Sequence, residues 1–152
     1  MKKQQFRAQS LVEFALILPI ALFLLFGFFD IGRAIFNFAS LTTAVREATR
    51  YAIANNDAVD SAAMANGYPA LKQKVYDYAF SIPPSEITIT VNMTYQFDQW
   101  GHITETRDKI SLTATYLFVP VTPGIKQILG AGNGIPITAQ STMRLEPLAR
   151  DD

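Results

Sequence analysis

From Leu11 to Phe29 the chain carries one ionisable residue, Glu13, in an otherwise apolar run. No other feature narrows so far what the chain can become. A helix rises about 1.5 Å per residue, so the run spans roughly 28 Å, close to the ~30 Å hydrocarbon core of a bilayer. Lys2, Lys3 and Arg7 precede it, and no acidic residue does. The positive-inside tendency then holds the N-terminus in the cytoplasm and sends the remainder outward. The run exceeds the ~7–15 apolar residues of a secretory signal peptide. It continues as DIGRAIFNF without a clear small-x-small cleavage site. The expectation is a single-span anchor, because later apolar residues alternate with polar ones and never form a second such run.

Glu13 is the anomaly in that anchor. A carboxylate at mid-bilayer costs about 2.5–3.5 kcal/mol on insertion scales, and less near the edge. Glu13 lies near the cytoplasmic edge, which leaves two readings open. The side chain snorkels to the headgroups, or it meets a positive partner. No Lys or Arg within the apolar run supplies that partner.

The block SLVEFALILP, followed by FDIGRA and AVREATRYA, resembles the N-terminus of type IV pilins. More specifically it resembles the TadE-like proteins of the tight-adherence pilus system. The likeness resumes in YLFVPVTPGIKQILGAGNGIPITAQSTMRLE, so it covers both ends of the chain around a variable middle. The resemblance implies that a prepilin peptidase cuts between Ala8 and Gln9. The family usually has glycine before the cut; Ala8, also small, stands here. Glu13 then becomes the fifth mature residue, one helical turn from a new amine at Gln9, on its own chain or a neighbour's. Glu13, with Phe14 and Pro19, is thereby implied in helix pairing during assembly. The implied partners are membrane lipid, other pilin-like subunits, the pilus assembly machinery and the peptidase.

Beyond Asp30, apolar residues recur at Ile35, Phe38, Leu41, Val45, Ala48 and Ala52, with Arg46, Glu47 and Arg50 at polar positions. That is the stripe of an amphipathic helix. Neither proline nor glycine interrupts residues 33–55, so one helix is predicted from about Leu11 to about Ala54, with NND at Asn55 to Asp57 as its stop. Pro19 falls inside and removes a backbone donor. Asp30 and Arg33 are expected to mark the outer interface. A second helical region is predicted between Asp57 and Ser81, broken at the turn formers Asn66, Gly67 and Pro69. In its latter part Leu71, Val75, Tyr78 and Ala79 share one side.

The period then changes to two. Ile87, Ile89, Val91, Met93, Tyr95 and Phe97 alternate with polar residues, which reads as a half-buried strand. DQWGH reads as a hairpin loop. Ile110, Leu112, Ala114, Tyr116 and Phe118 face one way on the return strand. IKQILG reads as a helical turn or two, GAGNG as a loop, and Ile135, Ile137, Ala139, Ser141 and Met143 line a last strand. The expected fold class is α+β, pilin-like, with a long N-terminal helix packed on a small antiparallel sheet. The expected organisation is a basic cytoplasmic leader over 1–8, a transmembrane stretch over 9–32, and an extracytoplasmic domain over 33–152.

No constellation carries chemistry. Thirteen basic residues balance thirteen acidic ones, so no global field attracts nucleic acid. The absence of cysteine excludes disulfides and thiolate sites, and one histidine, His102, cannot build a histidine-rich metal centre. Asp98, His102 and Glu105 near the hairpin loop read as solvated. Trp100, Tyr95 and Phe97 read as ordinary packing. The glycines of GAGNG lack the spacing and strand-to-helix context of a phosphate cradle. The reading is of a non-enzyme without cofactor, metal or small-molecule substrate: a minor pilin or pseudopilin of the inner membrane. The alternative is an unprocessed, single-span anchored binding or scaffold protein in which Glu13 snorkels.

Overall fold

A computed structural model describes residues 3–59, 61–97, 103–128 and 132–145. The order is α1 (Lys3–Ala54), α2 (Ser61–Ala65), α3 (Pro69–Tyr78), β1 (Ile87–Phe97), β2 (Ile103–Phe118), α4 (Ile125–Ile128) and β3 (Ile135–Arg144). The three strands form one sheet in the order β1-β2-β3, and α1 packs on it. The fold is α+β, as the two periodicities require.

α1 is 52 residues long and runs through Pro19 without losing its helical assignment. It begins at Lys3 rather than near Leu11, because Gln4, Gln5, Phe6, Arg7 and Ala8 include no breaker and extend the same helix. It stops at Ala54, where the Asn55 side chain turns back to donate to the Tyr51 carbonyl at 3.0 Å. The Tyr51 carbonyl thus accepts both the backbone amide and the side-chain amide of Asn55.

Two compact units share the chain. One comprises residues 1–35 with 119–135; the other comprises 36–118 with 136–152. In the second unit α1 buries Leu41, Ala44, Val45, Ala48, Thr49 and Ala52 completely. The alanines at one-turn spacing lower the helix surface and admit the sheet closely. Thr49 is tolerated there because its hydroxyl donates to the Val45 carbonyl at 2.7 Å. The buried stripe starts later than the apolar rhythm predicts. Ile35 and Phe38 are exposed, and so is Phe36, while the polar Asn37 and Ser40 are buried. Ser40 donates over a long 3.4 Å to the carbonyl of Tyr78.

Between helix and sheet, Gly67 (φ 70°) and Tyr68 (φ 59°) take left-handed backbone so that Pro69 can open α3. α3 buries Leu71 and Val75, and Ala79 follows them inward, but Tyr78 is more exposed than its spacing predicts. On the sheet, β1 and β2 are antiparallel, with Ile89 opposite Ala114, Val91 opposite Leu112 and Met93 opposite Ile110. The inward positions of β2, from Ile110 to Phe118, are the most buried of the three strands because β2 is the central one. Side-chain bonds between Thr115 and Thr138, and from Gln140 and Thr142 to Ser111, run in the order an antiparallel β2–β3 pair demands.

Candidate functional site

The first unit inverts the burial rule of a water-soluble protein. Every described residue from Gln9 to Phe29 is exposed except Gly27, which is intermediate. Phe14, Leu16, Ile20, Phe23, Leu24 and Phe28 all present their side chains outward, Phe28 at 72%. Among the described residues this is the one helix long and apolar enough to cross a membrane. A surface of this kind needs an apolar solvent or a partner to cover it.

The residues singled out from sequence fall on that surface. Gln9, Glu13, Phe14 and Pro19 are exposed on α1. Gln9 and Glu13 are four apart on a continuous helix, so they stand on one face about one turn from each other. Lys3, Arg7 and Ala8 lie in the opening turns of α1, and Lys2 lies outside the described residues. Ala8 and Gln9 are thus consecutive residues of one uninterrupted helix. Pro19 lacks the N–H that would reach Ala15, so one backbone acceptor has no donor from the usual position.

At the C-terminal end of the run sits an arrangement that sequence reasoning missed. Asp30 is a helix residue with 5% of its surface exposed. One carboxylate oxygen, Oδ1, accepts from the Val121 amide at 3.0 Å and from Arg33 Nη1 at 3.3 Å. The other, Oδ2, accepts from the Thr122 amide at 2.8 Å and the Thr122 hydroxyl at 2.6 Å. These partners lie ninety or so positions along the chain, in the same compact unit. The loop is shaped for the task by Pro123 and Gly124: proline presets its own φ, and Gly124 adopts φ 85°. Consecutive amides then point at one carboxylate. Nothing in the sequence ties FDIGRA to VPVTPG, and the two main-chain donors leave no side-chain signature. Arg33 remains partly exposed beside the clasp.

Other candidates gather less. Asp98, Trp100 and His102 lie outside the described residues, and Tyr95, Phe97 and Glu105 are described only as strand backbone. Among the described residues no three His, Cys, Asp or Glu side chains cluster to hold a metal. A shallow cleft in the second unit is lined by Glu47, Arg50, Tyr51, Lys74 and Tyr78. Its cations have intramolecular partners: Arg50 bonds Glu47 at 3.0 Å, and Lys74 stands 5.2 Å above the Tyr51 ring.

Residues 8–50 match the family model described as TadE-like protein. The match opens at Ala8, takes in Glu13 and Asp30, and ends within the buried stripe of α1. Comparison with curated proteins and with solved structures returned no match.

Proposed function

We propose that this TadE-like chain is a pilin-like subunit of a tight-adherence pilus, held in the cytoplasmic membrane by α1 until it is assembled. The observation that carries this reading is the exposed apolar half of α1, with Glu13 near its start, inside the segment that matches the family. Lipid covers that surface first, and neighbouring helices cover it later. Residues 1–8 form the cytoplasmic leader, 9–32 cross the bilayer, and 33–152 lie outside. The prepilin peptidase removes Met1 to Ala8. The new amine at Gln9 then lies a helical turn from Glu13 or opposite a neighbour's Glu13, with Phe14 and Pro19 on the pairing segment. A charge in lipid is stabilised by such a partner, and the pair fixes axial register between subunits.

Intact-mass analysis of membrane-purified protein tests the processing step: a mature chain starting at Gln9 is expected. A chain starting at Met1 moves the protein to the other reading, an unprocessed anchor for an outer binding or scaffold domain. Glu13→Gln should leave membrane insertion intact and abolish or strongly reduce pilus production. Pili at the normal level in that variant would sink the pairing role.

A further inference from the structure

The apolar surface does not end at Asp30. Phe28, Phe29, Ile31 and Ile35 are all exposed within the first unit, so exposed apolar side chains continue past the aspartate for more than a turn, beside the half-exposed Arg33. The acidic charge in that stretch is turned inward, and the half-exposed Arg33 pairs with it. Two amides, a hydroxyl and a guanidinium saturate Asp30, which removes the desolvation penalty that an unpartnered carboxylate would meet at the edge of hydrocarbon. The loop that saturates it is itself apolar: from Leu117 to Ile125 there is no ionisable residue. Along the loop Val119 and Val121 are exposed, while Pro120 and Thr122 are buried. Val121 is 72% exposed although its own amide is bonded to the helix.

We propose that the 119–122 loop is a second membrane contact. Asp30 holds it against the emerging helix so that Val119 and Val121 rest at the headgroup–acyl boundary of the outer leaflet. This rests on reading α1 as a membrane anchor. The occupant is lipid because Val121 is tied by its amide to the helix where the apolar run ends, Val119 is exposed two residues before it, and exposed apolar residues continue along the helix on either side of Asp30. Interfacial segments bury their apolar side about 5–10 Å into this boundary. The helix would then be braced at its exit by a contact distant in sequence, which limits tilt and sets the height of the emerging chain.

Depth-dependent fluorescence quenching in full-length protein tests the idea. The protein has one tryptophan, so the background carries Trp100→Phe. Two probes are compared in vesicles of phosphatidylcholine and phosphatidylglycerol bearing nitroxide-labelled lipids. Val121→Trp should be quenched at least about twofold more by shallow than by deep labels, as a side chain at the boundary requires. Phe23→Trp should show the opposite preference. Adding Asp30→Ala should abolish most quenching of the Val121 probe and leave the Phe23 probe unchanged; Thr122→Val, which removes one donor without altering shape, should reduce it partway. A Val121 probe unquenched beside a quenched Phe23 probe overturns the loop contact while leaving the anchor standing. If that unquenched probe is also blue-shifted, a second protein copy covers the loop instead of lipid. Quenching that survives Asp30→Ala overturns the role of the clasp. A Phe23 probe that deep labels fail to quench overturns both the anchor and the loop contact built on it.

Discussion

The two halves of α1 belong to one helix and obey opposite rules. Before Ile35 its large side chains, Phe, Leu and Ile, point outward and its one clasped carboxylate points inward. After Leu41 its buried face is made mainly of small residues, with Ala44, Ala48 and Ala52 fully enclosed and Arg46 and Arg50 outside. Close approach to a sheet calls for small side chains, whereas a lipid-facing surface calls for bulk without charge. Helix propensity serves both halves equally and distinguishes neither. What changes along the helix is whether protein encloses its apolar face.

Replacing the same residue type on both halves gives the largest contrast. Leu41→Ala should destabilise the second unit by about 2–5 kcal/mol, since a fully enclosed leucine leaves a cavity. Leu24→Ala, on the exposed half, should change it by no more than about 0.5 kcal/mol. Thermal unfolding of the detergent-solubilised full chain, followed by near-ultraviolet circular dichroism, checks both. Equal losses would show that the first half is a core helix after all. The clasp comes next. Asp30→Ala strips acceptors from two amides and a hydroxyl, at roughly 1–3 kcal/mol for each group left buried and unsatisfied. Faster hydrogen exchange at Val121 and Thr122, with Leu112 unaffected, is the expected result; uniform acceleration would mean that the clasp stabilises both units.

Surface contacts in the second unit should matter least. Thr115→Val breaks a cross-strand hydroxyl pair 3.1 Å apart and should cost about 0.2–1 kcal/mol. Arg50→Ala removes an exposed pairing with Glu47 and should cost under about 0.5 kcal/mol in the same melts. A larger loss at Arg50 would assign the cleft it lines a structural role that its exposure does not indicate.

Periodicity made the strands and the long helix legible, because alternation in β1, β2 and β3 survives as alternating burial. It also placed Leu41, Val45, Ala48 and Ala52 correctly. It misplaced Ile35 and Phe38, since a three- and four-residue rhythm marks an apolar face without saying whether the chain itself covers it. Tyr78 was misread for a related reason: a tyrosine at the end of α3 satisfies the spacing while keeping part of its ring outside. The Ala8–Gln9 junction was visible as residue types, but its position inside a continuous helix was not, because nothing in KKQQFRAQS starts or stops one. Asp30 read as a boundary marker because a lone acid after an apolar run fits that description, and two of its four donors are amides that every residue possesses.

The clasp also has a consequence in time. Asp30 is synthesised some ninety residues before Val121 and Thr122. During translation it must therefore leave the ribosome with water or Arg33 as its nearest available partners. The clasp closes only when nearly the whole chain has followed. Chains cut short before residue 121 would carry an intact α1 and an open clasp, giving quality control a chemical difference between finished and unfinished copies.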